Sequence, residues 1–96
     1  MTEYEVDDAG TAHFALAGEL DLATIQPVRV AVDQAVAGGA DHVHFDLSNV
    51  RFLDSSALAL FSQTALHVGV TIEHPSDLVR RTIEITGLAS LLTVTP

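Results

Sequence analysis

Apolar residues in this chain repeatedly switch between two spacings, and that switching constrains the fold more than any other feature. In His13-Phe14-Ala15-Leu16-Ala17, His42-Val43-His44-Phe45-Asp46-Leu47 and Val70-Thr71-Ile72-Glu73-His74 they alternate with other residues, the period of a half-buried strand. Between these runs, Ile25, Val28, Val32, Ala35 and Val36, and later Leu58, Phe61, Ala65 and Leu66, recur at helical spacing. Strands buried on both faces read as continuous apolar runs, whereas these alternate. The pattern therefore predicts an α/β fold: a mixed β-sheet with helices packed mainly on one face, in the order β-β-α-β-α-β-α-β. His13, His42, His44, Asp46, Thr71 and Glu73 fall on the opposite, solvated face. No repeat or linker interrupts the chain, so residues 1–96 read as one domain.

Punctuation residues set the boundaries. Tyr4-Glu5-Val6 and His13–Ala17 flank Asp7-Asp8-Ala9-Gly10, a turn that pairs the two strands antiparallel. A first helix capped by Asp21 would place Pro27 in its interior, where the ring clashes with the preceding turn. Capping by Thr24 puts Pro27 in the first turn, leaves Gly18–Thr24 as loop and frees Asp21 from capping. Gly38-Gly39 ends that helix. Ser48–Leu53 reads as a connection to a second helix running from Ser55 or Ser56 to His67. Ser76 caps a third, with Leu78, Val79 and Ile83 inward, and Gly87 closes it. Leu91–Val94 reads as the last strand.

Charge excludes several partners. Four Arg and no Lys face 13 acidic residues, a formal net charge of −9. Nucleic acid and anionic lipid both require basic patches, so neither is expected. The absence of cysteine removes disulfides, thiolate zinc sites and thiol nucleophiles. The N-terminal residues lack the basic and apolar regions of a signal peptide, and Ser55–Ile72, the longest charge-free run, is too polar for a membrane span. The expected setting is the cytoplasm.

Strands ending near Ala17 and Leu47 should run parallel, because a helix joins them. Their trailing loops then share one sheet edge, where open α/β sheets place functional residues. That edge gathers Glu19, Asp21, Asp46, Ser48 and Asp54-Ser55-Ser56. Any of the last three can cap the second helix, yet one cap does not need three candidates. The helix that follows carries no charged residue as far as Ile72. A small, flat, uncharged face suits contact with another protein; cover by the domain's own chain is the alternative.

Gly18-Glu19-Leu20-Asp21, Asp46-Leu47-Ser48, Phe52-Leu53-Asp54-Ser55-Ser56-Ala57-Leu58 and Thr86-Gly87-Leu88 carry a family likeness. Over nearly its whole length the chain resembles the STAS domain, and most closely the bacterial anti-sigma-factor antagonists. The resemblance implies a STAS-like fold and phosphorylation at Ser55, the first serine after the aspartate. The kinase it implies is the anti-sigma factor itself, an ATP-dependent serine kinase, and a dedicated phosphatase reverses the modification. It further implies that the unphosphorylated form binds the anti-sigma factor and frees a sigma factor. Asp21, Asp46, Asp54, Ser56, Ala57 and Leu58 form the implied switch neighbourhood, with Ala57 standing where the family usually carries glycine. STAS-like domains also serve as unphosphorylated scaffold or regulatory subunits in stress-signalling or lipid-transport complexes, which is the alternative.

Catalysis is not expected. No Gly-x-Ser-x-Gly elbow surrounds Ser55, and His67 lies about 18 Å further along the same helix. His42, His44 and Asp46 share a strand face, but same-face neighbours stand nearly 7 Å apart, and no metal or other cofactor is expected there. Phe14, Phe45, Phe52 and Phe61 read as core.

Overall fold

Asp7 organises the first turn by accepting hydrogen bonds at Oδ1 from the Ala9 and Thr11 N–H groups, each at 3.0 Å. Gly10 completes the turn at φ 86°, a conformation that glycine adopts without steric cost. In the computed structural model, which describes residues 2–96, this turn joins β1 (Glu5–Val6) to β2 (Thr11–Leu20). The chain continues through α1 (Ile25–Ala37), β3 (His42–Leu53), α2 (Ser55–Ala65), β4 (Gly69–Glu73), α3 (Asp77–Ile85), a short 3₁₀ turn (Leu88–Ser90) and β5 (Thr93–Val94). Sheet order follows chain order: β1 pairs antiparallel with β2, and the pairs from β2 to β5 are parallel. The expected mixed sheet and element order are those observed.

Alternation decides which face is covered. Phe14, Leu16, Val43, Phe45, Leu47, Val70 and Ile72 all enter one core cluster together with residues of all three helices. Within it Phe14, Phe45 and Phe61 form a chain of ring contacts, at 5.5 Å and 4.9 Å between centroids, that ties β2 to β3 and β3 to α2. Burial of each such ring contributes roughly 1.5–3 kcal/mol. The opposite face carries His13, His42, His44, Asp46 and Glu73, all partly or fully exposed. Thr71, expected among them as a solvated residue, is instead buried, with its hydroxyl bonded to His42 Nε2 at 2.8 Å.

Two segments read as loop are strand. Gly18–Leu20 and Asn49–Leu53 pair with each other and prolong the β2–β3 ladder. Ala15 pairs with Asp46 but Ala17 with Asn49, and Gly18 pairs with Val50 but Glu19 with Phe52. Each shift inserts one extra residue into β3, and each reverses which side chains face the core. The buried set therefore moves from Val43, Phe45 and Leu47 to Val50 and then to Leu53. Phe52, expected in the core, is turned outward and is 47% exposed. Leu78 and Leu66, also expected inside, are 60% and 74% exposed. On α3 the buried stripe is Val79 and Ile83, four residues apart, and Leu78 lies one helical step away from it.

Candidate functional site

The start of α2 is built around Asp54. Its extended backbone (φ −116°, ψ −169°) makes it the N-cap, and Oδ1 accepts the Ser56 N–H at 2.8 Å and the Ser56 hydroxyl. Oδ2 accepts the Leu22 N–H at 3.3 Å, while the Asp54 N–H donates to the Leu20 carbonyl at 3.0 Å. One carboxylate thus caps the helix and fastens the segment after β2 to it. The Ser56 hydroxyl is the foremost of the groups that hold the Asp54 carboxyl below its ordinary range, against a smaller opposing effect of desolvation.

With Asp54 and Ser56 bonded to each other, Ser55 stands outside the cap. It is the first residue of α2 and is exposed. Ala57 is helical and wholly buried, and its backbone is not among those with positive φ. Its methyl belongs to the core and places nothing in front of Ser55. Leu58 is likewise a core residue and supports the site from beneath.

Asp21 joins the site, but not in the unengaged state expected. Its Oδ1 accepts the Ala23 and Thr24 N–H groups at 3.0 and 3.1 Å, and its carbonyl accepts the Ile25 N–H at 2.9 Å. Asp21 thereby caps a turn that leads into α1. Thr24 does occupy the N-cap position, yet its hydroxyl makes no cap bond to α1; it donates to the Glu19 carbonyl at 2.8 Å. Pro27 lies in the first turn, as steric reasoning requires.

Asp46 is brought elsewhere. β3 continues seven residues beyond it, on the order of 20 Å at about 3.3 Å per residue. It pairs laterally with Ala15 and Glu73 on the polar face, where the Ser48 N–H bonded at 2.9 Å holds its carboxyl below the ordinary range. The structure therefore gathers Glu19, Asp21, Asp54, Ser55 and Ser56, and leaves Asp46 and Ser48 further back.

Sequence reasoning missed the apolar members of this surface. Leu22, 80% exposed, follows Asp21 directly, and the outward Phe52 lies three residues before Ser55. Arg51 beside it approaches Glu19 at 3.4 Å, a solvent-exposed pair. Along α2, Ser55, Ala59, Ser62 and Leu66 are partly or fully exposed and recur at helical spacing. They form an uncharged stripe leading away from the Ser55 hydroxyl. The helical period made the stripe visible in principle; only packing decides which side of the helix it occupies.

Fold and site define an α/β domain that presents an unengaged hydroxyl where a strand passes into a helix. The family model described as Mlab, STAS domain, matches residues 5–93, and the chain belongs to the STAS domain family. It is 30% identical to the anti-sigma-F factor antagonist RsfB of Mycobacterium tuberculosis, over 92% of this chain and 75% of RsfB. An anti-sigma factor antagonist from Mycobacterium paratuberculosis superposes with a TM-score of 0.88 at 28% identity, over all of this chain and 85% of that one. The phosphorylated form of SpoIIAA, a Bacillus cell fate determinant, shares the fold at a TM-score of 0.73 and 22% identity, over all of this chain and 92% of its own. Among the described residues no helix is long and apolar enough to cross a membrane.

Proposed function

We propose that this domain is an anti-sigma-factor antagonist. It binds its anti-sigma factor through the surface around Ser55, and phosphorylation of Ser55 abolishes that binding. The observation carrying the reading is the division of labour at the start of α2: Asp54 and Ser56 complete the cap, and Ser55 stays exposed. A kinase can reach that hydroxyl without dismantling the helix. The likeness to named antagonists supplies the partner class, and the anti-sigma factor is itself the ATP-dependent serine kinase. A phosphatase restores the binding form, and the exchange takes place in the cytoplasm. The domain catalyses nothing in this scheme.

Charge explains the switch. Phosphate adds about −1.5 to −2 at pH 7. The α2 N-terminus favours an anion there by roughly 0.3–1 kcal/mol, so the fold tolerates it. Asp54 and Asp21 already make this end of the domain negative, and the added charge falls on the surface that also carries the exposed Leu22 and Phe52. A partner surface that closes over a neutral serine must then desolvate a dianion. Like-charge or unpaired-charge contacts at interfaces cost several kcal/mol.

Ser55→Asp should melt within a few degrees of the wild type and bind the anti-sigma factor at least about tenfold more weakly, since a tenfold change needs only about 1.4 kcal/mol. Titration calorimetry of both forms, with thermal melts alongside, checks this. Undiminished binding by Ser55→Asp, with no phosphate gained by the wild type on incubation with the anti-sigma factor and ATP, would instead indicate an unmodified scaffold subunit.

A further inference from the structure

The polar face of the sheet holds a second cluster. His13 on β2 lies directly across from His44 on β3, and Glu73 on β4 lies diagonal to His44. One donor atom from each of the three falls within 4.8 Å of the others. The His13 and His44 rings meet edge to face with centroids 4.9 Å apart, and His44 Nδ1 already contacts Glu73 Oε1 at 3.0 Å.

We infer that His13, His44 and Glu73 form a binding site for a divalent transition metal, of which zinc is the representative ion. Two imidazoles and one carboxylate suit such an ion, with bond lengths of about 2.0–2.2 Å and ligand-to-ligand separations of about 3.3 Å. Drawing the donors in from a spacing within 4.8 Å to that separation takes side-chain rotations. The partly exposed rings permit them.

Surrounding groups fit the same reading. Asp7 Oδ2 lies 2.9 Å from His13 Nε2, and a carboxylate on the second ring nitrogen is the usual means of orienting a ligating histidine. When Nε2 donates to Asp7, the neutral ring keeps its lone pair on Nδ1. His42, the in-strand neighbour of His44, is excluded from ligation because its Nε2 is bonded to Thr71 and its ring packs over Gly69. Asp46 and Glu5 line the same concavity, and with a net charge of −9 the field favours a cation. The spacing along one strand that made His42-x-His44 too wide does not apply across strands, which stand about 4.8 Å apart.

The site lies well back from the end of β3, so the inference does not depend on the antagonist reading. Isothermal titration of the full chain with zinc chloride should show saturable binding of one equivalent. His44→Gln and Glu73→Gln should each weaken it at least about tenfold, while His67→Gln leaves it unchanged. Circular dichroism of each variant confirms that it is folded. Absence of saturable binding, or an unchanged isotherm in both folded variants, would overturn the assignment.

Discussion

Asp54 carries both the helix cap and the tie to the Leu22 segment, and its ionisation state follows from those bonds. The Ser56 hydroxyl and N–H favour the carboxylate, so the folded-state pKa lies below the ordinary 3.8. A carboxyl group lowered on folding adds stability above its unfolded pKa and loses it as pH falls through the folded one. Asparagine can cap a helix but takes on no negative charge. The wild type should therefore melt above Asp54→Asn at pH 6, and the gap should close as pH drops below about 3.8. Asp7 and Asp46 are lowered as well, by His13 and by the Ser48 N–H respectively. Their contributions are common to both proteins and cancel in the difference. Thermal melts from about pH 3 to 7 check the trend; a gap of constant size across that range would assign the effect to shape instead of charge.

At the scale of elements, α2 offers the clearest test. The stripe Ser55, Ala59, Ser62 and Leu66 faces solvent without a charged side chain. Ser62 lies seven residues along from Ser55, about 10 Å at 1.5 Å per residue. Ser62→Arg keeps helix propensity and reaches into water, so stability should change by less than about 0.5 kcal/mol. If the partner closes over the stripe, affinity for the anti-sigma factor should fall about tenfold or more, because a guanidinium would be left buried and unpaired. Titration calorimetry decides it, and unchanged affinity would confine the contact to the first turn. The stripe also shows what was legible beforehand. Element order, parallel pairing and the gathering of Asp21 with Asp54-Ser55-Ser56 followed from spacing and turn chemistry. The outer ends of β2 and β3 did not, because Gly18 and Ser48-Asn49 are turn-forming residues and neither segment alternates alone. They become strand only by pairing with each other, and the two bulges that this pairing requires turn Phe52 outward. Which of three adjacent cap formers would stay unengaged was equally hidden, since Asp and Ser serve comparably at an N-cap.

Taken whole, the molecule has one core and, at its margin, the exposed Ser55 proposed as the switch. Phe14, Phe45 and Phe61 are almost completely buried and lie in contact across β2, β3 and α2. Close-packed interiors of this kind resist continuous deformation. A charge on Ser55 meets the N-terminal dipole of α2, which accommodates it, and Ala57 and Leu58 beneath are already packed. No force therefore drives the core toward a second arrangement. Phosphorylation should act by altering the surface that a partner meets, with the fold unchanged. Amide chemical shifts compared between unmodified and phosphorylated protein should move at Leu20–Thr24 and Phe52–Leu58, the segments joined through Asp54. They should stay still at His13, His42 and His44 on the polar face. At high salt the like-charge part of the affinity loss should shrink, because the Debye length falls from about 10 Å at 0.1 M to about 3 Å at 1 M, while the desolvation part remains. Shift changes spread across β2, β3 and β4 would require a conformational switch that this core gives no means of making.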